Sequence, residues 1–190
     1  MSPRTNNRPI LGVDLDNVLA LTDPLIRRLI NEMFRVQLEQ RDIVYFEYSR
    51  CGITQEQEER LFQRFHDKEC ENVQPIQEAL DTLVYFASRF EIHVITGRPP
   101  ETKTLTQNWL SRYEVPCDNL DFLKSKNGSA VSFALFIDDN RQTAYAMAHK
   151  GVHAILLNYP WNQPDHLDPP NLFRAQCWSD IKRHVEEHLL

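Results

Sequence analysis

The chain has 190 residues, of which 42% are hydrophobic and 25% are charged, and its formal net charge is -6. This length suffices for one sizeable α/β domain with a small insertion, and the composition is that of an ordinary soluble globular protein. The negative charge argues against a surface whose main function is to bind nucleic acid. Since no apolar run approaches the length of a membrane span, we expect neither nucleic acid nor a membrane as a partner.

The N-terminus and the cysteines both favour a cytoplasmic protein. Residues 1–9 are polar and lack an apolar core, so we predict a flexible tail rather than a signal peptide or an anchor. The four cysteines are scattered, with neither a CxxC pair nor the spacing of a zinc finger. They are Cys51, Cys70, Cys117 and Cys177. We therefore predict reduced thiols and a cytoplasmic location.

The first predicted strand ends in two aspartates. Residues 10–13 form an apolar run typical of a strand buried on both faces of a parallel sheet, and Asp14 and Asp16 follow it. Because side chains alternate along a strand, both carboxylates leave from the same side if the chain stays extended. Burying two like charges costs on the order of several kcal/mol unless a cation or hydrogen bonds compensate, and oxygen ligands favour Mg²⁺. Taken alone, the pattern fits two solvated acids at a strand end equally well.

The long segment between the first strand and the next clear one is predicted to be helical. Asp23-Pro24 is typical of an N-cap and a first helical turn, Thr54 begins a capping box, and Pro75 is predicted to begin a third helix. Roughly 75 residues separate the two strands, far more than a parallel crossover needs. We therefore predict a small helical cap over residues 19–72.

Strands and helices alternate along the remainder of the chain. Further strands are predicted over residues 92–95, 118–123, 134–137 and 152–157, the last of these being the final strand. Helices are predicted over residues 101–113, in a short stretch after Gly128, from Asn140 to Gly151, and from a cap at Ser179 to about residue 189. This alternation predicts an α/β fold with a doubly wound, Rossmann-like, mostly parallel sheet. The predicted core comprises residues 10–18 and 73–190.

Polar residues follow three of the predicted strands. Thr96-Gly97-Arg98 follows the second strand, and Asp138-Asp139 follows a later one. Ligands of such folds bind just beyond the carboxyl ends of the strands. Three acid or hydroxyl clusters on one rim are not expected by chance, so a shared functional site is favoured over solvated acids.

These motifs, in this order, resemble those of the haloacid dehalogenase-like hydrolase superfamily. The residues that carry the resemblance are Asp14-Leu15-Asp16-Asn17-Val18, Thr96-Gly97-Arg98, a lysine near Lys126, and Asp138-Asp139. More narrowly, the chain resembles the 5′(3′)-deoxyribonucleotidase-type branch in the length of its helical insertion and in three local motifs. These are Pro75-Ile76-Gln77-Glu78-Ala79, Ile95-Thr96-Gly97-Arg98-Pro99 and Tyr159-Pro160-Trp161-Asn162. A glycine common in that branch is absent, and Gln77-Glu78 stands in its place.

The resemblance implies a Mg²⁺-dependent phosphomonoester hydrolase with an aspartyl-phosphate intermediate, and a 5′-nucleotidase is one candidate activity. Asp14 would attack phosphorus, and Asp16 would protonate the leaving alcohol and later accept a proton from water. Asp14, the backbone carbonyl of Asp16, and Asp139 would hold Mg²⁺, with Asp138 joining or supporting them.

Further residues are assigned to the phosphoryl group by the same resemblance. The hydroxyl of Thr96 and a lysine would hold its oxygens, and Lys126 is favoured over Lys124 as that lysine. Gly97 and Arg98 are predicted to contribute to substrate binding, although a helix cap or a salt bridge is an equal alternative for Arg98.

The substrate and two other classes of function stay open at this point. A nucleotide, a sugar phosphate and a small acid phosphate all fit, and the oligomeric state is not predicted. The cap aromatics Phe46, Tyr48, Phe62 and Phe65 are predicted to be core residues more readily than base-stacking ones. A phospho-accepting signalling domain also uses an acid pair, but there the pair precedes the acceptor. A catalytically silent binding protein on the same scaffold is opposed by the complete set of motif residues.

Overall fold

A computed structural model describes residues 8–126, 130–164 and 166–190. In this part of the chain six strands form a single sheet in the order β3-β2-β1-β4-β5-β6, and every neighbouring pair is parallel. The strands are β1 (Ile10–Val13), β2 (Glu91–Thr96), β3 (Asn119–Phe122), β4 (Leu135–Asp138), β5 (His153–Leu157) and β6 (Leu172–Ala175). This is the strand order of a Rossmann fold, so the predicted α/β class is confirmed.

Helices cover the sheet and form most of the segment between β1 and β2. The α-helices of the described residues are α1 (Thr22–Phe34), α2 (Gln55–Arg64), α3 (Gln77–Phe86), α4 (Lys103–Arg112), α5 (Arg141–His149) and α6 (Trp178–His188). Every residue of β4 is buried. Because side chains alternate between the two faces of a strand, burial at every position requires that both faces of the sheet are covered.

The strand order determines where a ligand can bind. From β1 the chain proceeds to β2 and β3 on one side, and it returns to β4, β5 and β6 on the other. The loops that leave β1 and β4 therefore diverge, and they open a crevice at this switch in strand order. Asp14 follows β1 and Asp139 follows β4, so both residues lie at the crevice.

The segment inserted after β1 is helical, as predicted. It contains α1, α2 and a π-helical turn at Phe65–Glu69. Two hydrogen bonds join the chain where the segment leaves and rejoins the core, from the backbone N of Leu21 to the carbonyl of Gln74 (2.8 Å) and from that of Ile76 to the carbonyl of Leu19 (2.8 Å). The residue limits of cap and core as separate domains stay a prediction.

Several helix starts differ from the prediction, among them that of α3, which begins at Gln77 rather than at Pro75. The helix α1 begins at Thr22, so Asp23 lies inside its first turn rather than at the N-cap. The helix α6 begins at Trp178, one residue before the expected cap at Ser179. By contrast, the capping box at Thr54 is confirmed. The predicted short helix after Gly128 falls partly outside the described residues.

The prediction that residues 152–157 form the final strand is wrong. A further strand, β6, pairs with β5 at the edge of the sheet. Its sequence, Leu-Phe-Arg-Ala, is too short for the apolar run that identifies buried strands, and Arg174 in its middle pairs with Asp168 (2.7 Å). An edge strand needs apolar neighbours on one side only, and such strands tolerate a charge.

The remaining expectations concern the termini, the thiols and the membrane. Residues 1–7 lie outside the described part of the chain, while Pro9 accepts a hydrogen bond from the backbone N of Glu91 (3.0 Å). All four cysteines are free thiols. Within the described ranges no helix has the length and apolarity needed to cross a membrane.

Candidate active site

Asp14 is held in position at the end of β1. Its backbone N donates to the carbonyl of Ile137 in β4 (2.9 Å), which continues the pairing of the two strands. Its side-chain Oδ1 accepts hydrogen bonds from the backbone N of Leu15 (2.7 Å) and pairs with Nζ of Lys126 (2.7 Å). Because the residue is only 6% exposed, these contacts fix the orientation of the carboxylate.

Lys126 links Asp14, which follows β1, to Asp138, which is the last residue of β4. Its buried ammonium lies 3.0 Å from Oδ2 of Asp138, in addition to its contact with Asp14. The other oxygen of Asp138 accepts a hydrogen bond from the backbone N of Asn140 (2.8 Å). By contrast, the side chain of Lys124 is exposed, and it lies at the wall of a cavity next to the acid cluster. The structure therefore brings Lys126, and not Lys124, into the acid cluster.

Asp139 completes this cluster, but only one of its two carboxylate oxygens has hydrogen-bond partners among the described residues. Its Oδ2 accepts hydrogen bonds from Nδ2 of Asn17 (3.3 Å) and Nε1 of Trp161 (3.2 Å). Its buried Oδ1 has no hydrogen-bond partner among the residues that the structure describes. A buried carboxylate oxygen without a partner is costly, and it often marks the position of an ion.

The donor set fits a divalent cation that prefers oxygen ligands. Carboxylate oxygens of Asp14, Asp138 and Asp139 lie within 4.8 Å of one another, and the cationic Lys126 is in direct contact with the first two of these acids. Burial raises the pKa of Asp14 to about 7, although Lys126 opposes this shift. Burial, together with Asp14 and Asp138, raises the pKa of Asp139 well above its ordinary value. A bound Mg²⁺ would relieve this repulsion with ligands of the type it prefers.

Asp16 has different partners from the other acids. Arg98 donates to both of its oxygens, from Nε to Oδ2 (2.8 Å) and from Nη2 to Oδ1 (2.7 Å), and the hydroxyl of Thr22 donates to Oδ1 (2.6 Å). Burial raises the pKa of Asp16, but the Arg98 guanidinium, the hydroxyl of Thr22 and the nearby His66 together oppose it, and the net pKa is lowered. Asp16 is therefore anionic in this arrangement.

Arg98 forms the salt bridge that was one of its predicted roles. It is 3% exposed, and its Nη1 also donates to the carbonyl of Cys70 in the predicted cap (3.2 Å). Thr96 is fully buried at the end of β2, and its hydroxyl accepts a hydrogen bond from the backbone N of Arg98 (3.1 Å). Gly97, between them, lies at the cavity wall.

A cavity of about 300 Å³ lies between the acid cluster and the predicted cap. Asp14, Asp16 and Lys126 contribute to its floor, and all four cap aromatics named from the sequence line it. Two of these aromatics, Tyr48 and Phe65, are buried, whereas Phe46 is 53% exposed and Phe62 is half-buried. Of these four aromatics, Phe46 and Phe62 are therefore the two whose rings have exposed surface that a ligand can contact.

Several residues of the site were not assigned a direct role from the sequence. Asn17 has a backbone φ of 60°, and its side chain accepts a hydrogen bond from the backbone N of Asp23 (2.8 Å) while donating to Asp139. Asparagine tolerates this left-handed conformation better than most residues, so its position within the first motif was the available signal. Trp161 and Asn162 entered the sequence analysis only as part of a motif, and both donate to Asp139.

The chain is similar to a known family and to curated proteins over most of its length. Residues 8–188 match the model of a family described as 5′ nucleotidase, deoxy (pyrimidine), cytosolic type C protein. A candidate 5′(3′)-deoxyribonucleotidase from Chlorobaculum tepidum is 25% identical over 188 residues, which cover 93% of this chain and 90% of the relative.

Solved structures of haloacid dehalogenase-like proteins share the fold. A hydrolase of this group from Streptococcus pneumoniae superposes with a TM-score of 0.65 at 14% identity, over 94% of this chain and 98% of the other. A candidate hydrolase of the same group from Bacillus subtilis, solved with bound magnesium, gives a TM-score of 0.62 at 13% identity, over 94% of this chain and 99% of the other.

Proposed function

The chain belongs to the 5′ nucleotidase, deoxy (pyrimidine), cytosolic type C family of haloacid dehalogenase-like phosphoric monoester hydrolases, and we propose that it is a Mg²⁺-dependent phosphatase that works through an aspartyl-phosphate on Asp14. The observation that carries the proposal is the meeting of Asp14, Lys126, Asp138 and Asp139 at the switch in strand order, with Oδ1 of Asp139 lacking a partner in the described chain. A phosphate dianion could approach this cluster only if a cation compensated the carboxylates.

In the first step Asp14 attacks phosphorus and the bond from phosphorus to the leaving alcohol breaks. Because Oδ1 is engaged by Lys126 and Leu15, we assign the attack to Oδ2. The departing oxygen takes a proton from Asp16. In the second step water attacks the phosphorus of the aspartyl-phosphate, Asp16 accepts a proton from that water, and inorganic phosphate leaves while the Asp14 carboxylate is restored.

Lys126 and Thr96 are assigned to the remaining phosphoryl oxygens. Lys126 is favoured over Lys124 because its ammonium is buried against the nucleophile, whereas Lys124 is exposed. Asp14, Asp139 and the backbone carbonyl of Asp16 would hold Mg²⁺, with Asp138 joining or supporting them. When bound, Mg²⁺ supplies positive charge that neutralises and orients the phosphoryl group.

The salt bridge with Arg98 bears on the two roles of Asp16. A lowered pKa suits the second step, in which Asp16 must be a carboxylate in order to accept a proton. It disfavours the first step, in which Asp16 must arrive protonated. Alcohols that are poor leaving groups depend most on that proton, so we expect formation of the aspartyl-phosphate to limit their turnover.

The substrate class that fits best is a nucleoside monophosphate. The cavity of about 300 Å³ is within the range of small-molecule sites. Phe46 and Phe62 offer ring surface at its wall, and aromatic faces stack well on nucleobases. The family description names a deoxyribonucleotide activity, and the Chlorobaculum tepidum relative is named for the same chemistry. A cytoplasmic location stays a prediction.

The test is release of inorganic phosphate from a panel of phosphomonoesters, with Mg²⁺ and with a chelator. The panel should contain an aryl phosphate, 5′- and 3′-deoxyribonucleotides, sugar phosphates and small acid phosphates, with the Asp14→Asn variant as control. The proposal expects Mg²⁺-dependent turnover with nucleotides preferred. A phospho-accepting signalling domain would become labelled without turnover, and a silent binding protein would release no phosphate; either result would refute the proposal.

A further inference from the structure

The loop after β5 contacts both of the segments that carry the acids. The hydroxyl of Tyr159 donates to the carbonyl of Asn17 (2.8 Å), in the segment that follows β1. The amide of Asn162 donates to the carbonyl of Asp139 (2.8 Å), in the segment that follows β4, and also to that of Leu157 (2.8 Å). The loop is therefore attached to the two sides of the crevice at once.

Trp161, in the same loop, donates to one of the two carboxylate oxygens of Asp139. Its indole N–H can only donate a hydrogen bond, and it lies 3.2 Å from Oδ2. The amide of Asn17 donates to the same oxygen (3.3 Å), and its own oxygen is already engaged by the backbone N of Asp23. Two donors thus hold Oδ2, and the oxygen without a partner in the described chain is Oδ1.

The indole is itself held on two sides. It stacks on the ring of Tyr159, with centroids 4.4 Å apart and planes 5° from parallel. Phe46 of the predicted cap meets it edge-on, with centroids 6.5 Å apart and planes at 81°. Because both rings restrict the rotation of the side chain, the N–H donor keeps one direction.

We propose that Trp161 is a positioning residue for the cation site: its indole N–H holds Oδ2 of Asp139 so that Oδ1 faces the space shared with Asp14 and Asp138. The inference rests on the proposed function, because it assigns a divalent cation to that space. Partners that orient a metal-binding carboxylate typically change metal affinity by about 10- to 100-fold when they are removed. Loss of this single donor is expected to weaken cation binding by about ten-fold.

The experiment compares two tryptophan-to-phenylalanine variants of the full chain. Trp161→Phe keeps a ring for Tyr159 and Phe46 but removes the donor to Asp139. Trp109→Phe is the matched control, because it removes an indole hydrogen bond to the carbonyl of Val73 (2.7 Å), a residue outside the acid cluster. Mn²⁺, used as the probe, is titrated without substrate, and free Mn²⁺ is measured by electron paramagnetic resonance.

A second measurement uses the wild-type chain and therefore does not depend on the folding of a variant. The chain has three tryptophans, so protein labelled with fluorotryptophan should give a small set of fluorine resonances. A trace of Mn²⁺ identifies the ring nearest the cation by broadening its resonance. Addition of Mg²⁺ should then shift that resonance, since the carboxylate bonded to the indole N–H becomes a cation ligand.

The inference is supported if the dissociation constant for Mn²⁺ rises about ten-fold in Trp161→Phe and stays unchanged in Trp109→Phe. Equal weakening in both variants, unchanged binding by Trp161→Phe, or a fluorine spectrum that Mg²⁺ leaves unaltered would overturn it while leaving the proposed phosphatase standing. Failure of the wild-type chain to bind Mn²⁺ at all would overturn both.

Discussion

Replacement of Asp139 by asparagine is expected to make the metal-free protein more stable while removing its response to Mg²⁺. In the wild-type chain the buried Oδ1 of Asp139 has no partner among the described residues, and it lies near the carboxylates of Asp14 and Asp138. Asparagine can retain a carbonyl oxygen for the donors Asn17 and Trp161. It then presents an amide N–H₂ to the two acids, so that an attraction replaces a repulsion.

The size of the effect follows from the cost of an unsatisfied buried polar group. That cost is about 1–3 kcal/mol, and for a chain of this length 1 kcal/mol corresponds to about 2–4 °C in Tm. Asp139→Asn should therefore raise Tm by roughly 4–8 °C in the presence of a chelator, taking 2 kcal/mol as the central value. Wild-type protein should instead gain about 2.7 kcal/mol from Mg²⁺ at 100 times its Kd, and the variant should gain little.

The stabilisation should depend on pH with a defined sign. The pKa of Asp139 is raised in the folded protein, whereas in the unfolded chain it lies near 3.9. The folded state therefore binds more protons between these two values, and the stability that this provides is lost as pH rises through the folded pKa. Hence the advantage of Asp139→Asn should be small near pH 4 and larger at about pH 8.

The matched control is the neighbouring carboxylate, Asp138. Both of its oxygens are bonded, one to the ammonium of Lys126 and the other to the backbone N of Asn140. Asp138→Asn should therefore destabilise the protein, because it removes one partner of a buried ion pair. Thermal unfolding followed by circular dichroism, at both pH values and with either Mg²⁺ or chelator, measures all of these effects. A lower Tm for Asp139→Asn at the higher pH without metal would refute the reasoning, as would an undiminished response to Mg²⁺.

Four further predictions concern catalysis. Asp14→Asn should abolish phosphate release while leaving the circular dichroism spectrum unchanged, and near-normal turnover would remove Asp14 as the nucleophile. Asp16→Asn should form the aspartyl-phosphate with an aryl phosphate but hydrolyse it slowly, so acid-quenched protein should retain label; rapid loss of that label would contradict the acid–base assignment. Lys126→Ala should lower kcat far more than Lys124→Ala, by roughly 10²–10³-fold if the ammonium acts as one electrostatic contact to the transition state, and the reverse order would assign the phosphate to Lys124. Arg98→Gln removes the guanidinium that lowers the pKa of Asp16, so the acidic limb of the kcat profile should move to higher pH, and an unmoved limb would exclude Asp16 as the titrating base.

The strands that position the acids could be predicted from the sequence because each of them is marked by a local pattern of residues. β1, β2 and β4 are apolar runs that end abruptly in polar residues, and the carboxyl ends of parallel strands meet at one edge of the sheet. From this pattern alone, Asp14 and Asp139 are predicted to lie near each other. β6 was missed because an edge strand that contains Arg174 lacks such a run.

The partners of the acids were harder to predict because they depend on contacts between distant parts of the chain. The salt bridge between Asp16 and Arg98 joins residues 82 positions apart, and the bond from Trp161 reaches across 22 positions to a single oxygen. Residue types alone left Arg98 with two equal roles. Only the packing of the loop after β5 against both motifs explains why an aromatic residue donates to Asp139.

The carboxylate cluster combines residues from two distant parts of the chain, and it forms only when β1 and β4 have paired. Asn17 and Asp139, which share a hydrogen bond, are 122 positions apart, and the ribosome makes Asp14 long before Asp138 and Asp139. A nascent or truncated chain that ends before β4 would carry Asp14, Asp16 and Lys126 but would lack Asp138 and Asp139. Such a chain could not complete the carboxylate cluster, so a cation site of this kind requires that β4 has been made and has paired with β1.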